Sequence, residues 1–170
     1  MSRTRLVSHE DASDGAARVF RTVEQRGGVV PTLYQAIAQS PPVLEGWFAL
    51  GEAIRSQTTL DAQMRELAIL RVAQHVGSEY IKRGHRRAAA AIGVPDLQLI
   101  AVIEWPADAV PTSREEAVFA YADAVAADAG INNATFAAVS RFLSERDLLE
   151  LTVTAAFYVA VARVIDALGL

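Results

Sequence analysis

The chain of 170 residues contains no cysteine. Disulfides, thiolate catalysis and thiolate metal ligation are therefore excluded. Net positive charge is also missing. The balance is −4 at pH 7, which argues against bulk affinity for nucleic acid. No stretch alternates like a strand between turn residues, and no short-period repeat or low-complexity segment is present. A phosphate-cradling glycine loop is absent, because Gly27 and Gly28 follow no strand. His9, His75 and His85 lack metal-ligand spacing and have no acidic cluster beside them, so neither a metal nor another cofactor is expected. The most apolar run, Leu151 to Ala162, is too short to span a bilayer and is bounded by Glu150 and Arg163, so no membrane partner is expected. The opening MSRTRLVSHEDAS has no apolar core of a secretory signal, and a cytoplasmic location is the expectation.

What is present is alanine, leucine and valine. The chain is 52% hydrophobic with 10 Gly and 6 Pro, a composition that favours helices over sheet. Its length suits a single domain over residues 1–170, with 1–8 as an arm that is either flexible or ordered on contact. Ser8 and Asp11 read as a capping pair for a helix to about Glu24. Shorter helices follow over about 31–39 and 42–56. Asp61 is the N-cap of a central helix, and Thr112 with Glu115 makes a capping box for another, reaching about Asp128. A loop is expected from Glu104 to Pro111. Asn132 or Asn133 caps a helix to about Leu143, and Ser144 caps the last one, to about Leu168. That last helix is apolar on nearly every face, so it is either the spine of a bundle or part of a subunit interface.

The centre of the sequence is RELAILRVAQHVGSEYIKRGHRRAAAAIGVP, from Arg65 to Pro95. It reads as two helices broken at Gly77. The first is apolar nearly all round and is therefore buried. Glu66 shares its stripe with Ile69, Leu70 and Ala73, so its carboxylate must find a partner, stay protonated or face a cavity. On the second helix Ser78, Ile81 and His85 fall at i, i+3 and i+7 and share a face. Lys82, Arg83, Arg86 and Arg87 lie mostly on the other side.

Glu66, eleven residues, Ser78-Glu79-Tyr80-Ile81, three residues, His85 keeps the spacing of a known signature. The chain resembles the carboxymuconolactone decarboxylase and alkylhydroperoxidase-D-like superfamily, whose signature is Glu, eleven residues, Cys-x-x-Cys, three residues, His. The flanks from Pro31 to Leu168 are similar as well. The resemblance implies an all-α bundle of about eight helices that assembles as a homo-trimer or homo-hexamer. Ser78 and Ile81 stand at the two cysteine positions, so the thiol peroxidase mechanism of the superfamily is chemically barred.

Two functions from different classes remain. One is a cofactor-free lyase or isomerase, decarboxylase-like, acting on a small carboxylate or lactone. His85 would move the proton and Glu66 would hold or relay it. Ser78 and Tyr80 are further catalytic candidates, the first with helix capping as its ordinary role, the second as a hydrogen-bond donor to an oxyanion. Ile81, Lys82, Tyr158 and Arg163 are the substrate-binding candidates. Ile81 would supply an apolar wall, Lys82 a charge for the carboxylate. Tyr158 and Arg163 match an aromatic-x4-Arg pattern of the superfamily. The alternative is a non-catalytic oligomeric module that binds a small apolar acid or a protein partner.

Overall fold

Helices begin in this chain where a short polar side chain can take up a free amide hydrogen. In the computed structural model, which describes residues 2–106, 111–127 and 129–170, Ser13, Asp61, Ser78, Thr112 and Asn132 each accept a hydrogen bond from the first turn of a helix. Among the described residues there are nine helices and no strand: α1 Asp14–Gln25, α2 Thr32–Ile37, α3 Pro41–Ser56, α4 Ala62–His75, α5 Glu79–Ala91, α6 Asp96–Glu104, α7 Ser113–Ala126, α8 Asn133–Ser140 and α9 Glu145–Leu168. The all-α architecture is the expected one, with nine helices in place of about eight.

Local departures have local causes. Ser8 and Asp11 do hydrogen-bond, at 3.2 Å, but with Arg5 holding the Asp11 carboxylate at 2.6 Å they close a turn. The first helix starts later, from Ser13. Thr112 and Glu115 form the reciprocal box expected of them. Residues 107–110 of the loop expected over 104–111, and Asp128 at the expected end of α7, lie outside the described residues.

The chain divides into two compact units, Met1–Gln57 with Val164–Leu170, and Thr58–Arg163. In the first, α1 and α2 pack on α3. The opening arm, expected to be either loose or ordered on contact, is fastened within this unit at Arg3, Thr4 and Val7. The Arg3 amide donates to the Leu168 carbonyl at 2.8 Å, the Val7 amide to the Gln35 carbonyl at 3.0 Å, and the Gln39 amide to the Thr4 hydroxyl at 2.6 Å.

In the second unit α4 is the axis, packed against α5, α6 and α7. Every residue from Glu66 to Ala73 is buried, as its all-round apolar sequence requires. Leu67, Leu70, Val102, Phe119, Tyr121 and Leu151 join in one core. Each such side chain contributes roughly 1.5–3 kcal/mol by leaving water. Among the described residues α9 alone is long and apolar enough to cross a membrane, by length and composition. Its buried residues, including Leu151, Ala155, Tyr158 and Ala162, recur at helical spacing, the pattern of a helix lying along a core.

The α4–α5 link sets up the site. α4 stops at Gly77, whose φ of 71° is left-handed and suits glycine. The Ser78 amide reaches back to the Ala73 carbonyl at 2.8 Å, which closes the last turn. The Ser78 side chain then starts α5, and the chain returns along α4 as an αα-hairpin. Glu66 lies roughly 14 Å before the end of α4 and His85 roughly 9 Å after the start of α5, by helical rise alone. The hairpin therefore carries both toward the same level.

Candidate active site

Glu66 and His85 meet. The His85 ring nitrogen Nδ1 stands 2.7 Å from Glu66 Oε2. The Glu66 side chain is 5% exposed and that of His85 17%. The carboxylate is thus sealed in the protein while the imidazole keeps an outlet. A carboxylate can only accept, so Nδ1 carries the hydrogen and donates it. The other ring nitrogen, Nε2, then holds the free lone pair, and the tautomer is fixed from behind. An imidazole so held can accept a proton at Nε2, and the adjoining negative charge stabilises the imidazolium that results.

Tyr158 completes the setting of the ring. It lies edge-to-face against His85, with centroids 4.7 Å apart and planes at 85°. Phe157 packs against Tyr158 in turn, at 5.6 Å. The imidazole is fixed by one hydrogen bond and one aromatic face, and each restrains a different rotation.

The Ser78 hydroxyl accepts from the Ile81 amide at 3.5 Å and serves as the α5 cap. Ile81 is buried. Tyr80, the second residue of α5, is half-buried. Lys82 donates to Gln74 at 3.0 Å and pairs with Glu79. With Arg83, Arg86, Arg87, Glu79 and Ile103, Lys82 lines a concavity of about 400 Å³, whose walls do not include His85. Arg163 is exposed on α9, so its charge is met by water and it has no need of a buried anion. Among the described residues, no three His, Asp or Glu side chains are grouped to hold a metal ion.

Arg65 and Arg71 read from the sequence as poor intrahelical partners for Glu66, with Arg163 a possible distant one. Arg71, buried in α4, donates through Nε and Nη2 to both Asp123 oxygens, at 2.7 and 2.6 Å. Its Nη1 donates to the carbonyls of Val102 and Trp105, at 3.2 and 2.8 Å, and its guanidinium lies over the Trp105 ring. His75 shares the Asp123 carboxylate at 3.2 Å. This cluster ties α4, α6 and α7 together. Arg65, beside Glu66 in sequence, places Nε 3.6 Å from Glu66 Oε1. The available signal was a charged residue at each end of an otherwise apolar run.

The carboxymuconolactone decarboxylase family model matches residues 41–124, which hold both Glu66 and His85. This segment is that of the carboxymuconolactone decarboxylase family. Among curated proteins, none is significantly similar in sequence. Among solved structures, the debrominase Bmp8, as a cysteine-to-alanine variant in complex with 2,3,4-tribromopyrrole, superposes with a TM-score of 0.85 at 20% identity, over 99% of this chain and 92% of that one. An alkylhydroperoxidase core from Ralstonia eutropha JMP134, an uncharacterized peroxidase-related protein, gives 0.85 at 20% identity over 99% and 90%. An uncharacterized peroxidase-related protein from Silicibacter sp. TM1040 gives 0.84 at 20% identity, also over 99% and 90%. At this identity the likeness is one of fold. Within that fold, the present chain combines the glutamate–histidine pair with a complete lack of sulfur nucleophiles.

Proposed function

We infer that this chain is a cofactor-free acid–base catalyst, a lyase or isomerase of small carboxylates or lactones. The observation that carries the reading is the 2.7 Å contact between a sealed carboxylate and a partly open imidazole. Such a pair is suited to moving one proton to or from carbon beside a conjugated carbonyl. In the decarboxylating case the bond to the departing carboxylate breaks and carbon dioxide leaves. The electron pair moves into the conjugated carbonyl, and the His85 imidazolium then returns a proton from Nε2 to the carbon. Glu66 stabilises the charged ring and leaves Nε2 as the nitrogen that exchanges the proton. Water restores the proton between turnovers. The debrominase of the same fold is crystallised with a pyrrole, which supports a pocket for small planar rings in this architecture. A homo-oligomeric assembly is part of the reading, supported by the exposed apolar residues Leu149 and Val153 on α9.

The experiment is a screen of small unsaturated acids and lactones for loss of carbon dioxide or isomerisation, followed by the His85→Ala variant on any substrate found. Turnover should fall by about a hundredfold or more if His85 transfers the proton. Turnover that survives the substitution removes His85 from this role. No turnover across the screen favours the non-catalytic binding module.

A further inference from the structure

The acid–base pair has a third charged neighbour with an unfilled donor. The Arg65 side chain is 11% exposed. Its Nε lies 3.6 Å from Glu66 Oε1, beyond hydrogen-bonding range, and this buried atom has no hydrogen-bond partner. Among the described residues nothing accepts a hydrogen bond from this side chain. A guanidinium stays charged, and a buried N–H donor left unfilled, as Nε is here, is costly. The same helix shows what a satisfied guanidinium looks like, since Arg71 fills its donors with Asp123 and two carbonyls. Arg65 is the exception.

Its location gives the exception a meaning. The Glu66 carboxylate has two unlike neighbours, the guanidinium toward Oε1 and the imidazole on Oε2. With a neutral ring the three groups sum to zero charge. With a protonated ring they sum to plus one, and the site can take up one negative charge. Unfilled donors and a ring that moves protons thus flank one carboxylate.

We propose that Arg65 is the oxyanion-binding residue of this site. Its N–H donors take the carbonyl oxygen of a small unsaturated lactone or conjugated keto acid as that oxygen gains negative charge. The proposal rests on the acid–base reading above and adds the group that reading lacks. When the carbon–carbon bond breaks, carbon dioxide leaves with both of its oxygens and the electron pair passes onto the carbonyl oxygen as an enolate. Arg65 hydrogen-bonds that oxygen without changing its own protonation. His85 delivers its proton to carbon, the electrons return from oxygen, and the carbonyl re-forms. An interaction that grows as charge arrives favours the transition state over the ground state. Clamping the departing carboxylate would do the reverse, so the substrate class is one whose carbonyl is separate from the group it loses.

The probe is tetronate, the anion of an acidic enol lactone, whose charge is shared with a carbonyl oxygen and which cannot turn over. Calorimetric titration compares the wild type, Arg65→Gln and His85→Gln, each checked for folding by circular dichroism. Wild-type protein should bind tetronate, and Arg65→Gln should weaken binding by about tenfold or more, as expected for losing a charge-assisted hydrogen bond. His85→Gln should weaken it less. Equal affinity in the wild type and Arg65→Gln, or no binding by the wild type at millimolar tetronate, overturns the proposal. If Arg65→Gln does not fold, the Nε–H resonance of Arg65 in nitrogen-labelled wild type decides. It shifts on tetronate addition if that donor takes the oxygen, and is unmoved if it does not. The two readings fail separately: turnover that survives His85→Ala, with tetronate binding still dependent on Arg65, sinks the proton-transfer role and leaves the oxyanion site standing.

Discussion

Glu66 Oε2 sits behind His85 Nδ1 at 2.7 Å, nineteen residues away along the chain and on the facing helix. The contact divides the labour of the ring, with one nitrogen committed to orientation and the other open to chemistry. It also makes the two residues unequal, since Glu66 is sealed and His85 is not. In the proposed reaction Glu66 therefore acts through His85, as a positioning residue.

Replacing Glu66 by Gln tests that assignment. The amide oxygen can still accept from Nδ1, but the negative charge is gone and the imidazolium loses its stabilisation. The expected result is a fall in turnover of about tenfold to a hundredfold, with little change in KM. Unchanged turnover would make the contact merely structural. Glu66→Ala has a second consequence, because it removes the carboxylate that stands 3.6 Å from Arg65 Nε. A loss of about 3 kcal/mol in denaturant unfolding is expected, the usual result of leaving a buried charge alone.

Asp123→Ala should cost stability and spare the acid–base pair. It removes both acceptors of the bidentate Arg71 contact and leaves a buried guanidinium with two carbonyls and an aromatic face. A loss of about 3 kcal/mol is expected, equivalent to roughly ten degrees in Tm for a chain of this size. Calorimetry checks it. A shift under two degrees or so would mean that the cluster is a bystander.

Acid should loosen the start of α4. Glu150 accepts the amides of Thr59 and Leu60 at 2.8 and 2.9 Å, and the Arg146 guanidinium at 2.9 Å. Burial pushes its carboxyl up, but the Arg146 contact and the Leu60 and Thr59 hydrogen bonds outweigh this and hold it below the usual glutamate value of 4.5. Hydrogen bonds from Ser144, then Thr59, hold Asp147 low as well. A carboxylate lowered on folding stabilises the native state fully above its unfolded value, and that contribution fades as pH falls through the folded value. Urea midpoints should therefore decline below the ordinary carboxylate range. In Glu150→Gln the decline should be shallower, with most of the loss already present at neutral pH. An acid limb of unchanged steepness would count against Glu150.

What could be read in advance was what neighbours in sequence decide. Asp61, Ser78 and Thr112 with Glu115 were legible as caps because a cap reaches only three residues. Ser8 and Asp11 misled because Arg5 draws the Asp11 carboxylate into a turn, a competition that the capping pattern does not encode. The meeting of Glu66 with His85 was legible from spacing and resemblance together, since a glycine-linked hairpin brings facing residues level. Arg71 and Asp123 lie 52 residues apart and share no pattern that periodicity could expose. Arg65 was hidden for another reason. Adjacent helical residues point about 100° apart, which argues against an i, i+1 pair. The long side chain nevertheless brings Nε within 3.6 Å of Glu66 Oε1.

Ile81 stands, buried, at a position where the superfamily signature carries a sulfur. A branched hydrocarbon there accepts no electrons, forms no mixed adduct and has no oxidised twin. With Ser78 occupied as a cap, nothing at these two positions can be toggled by peroxide or by a reducing partner. The hairpin therefore has no thiol pair to switch between oxidising and reducing surroundings, and the proposed cycle needs only a hydrogen ion restored from water.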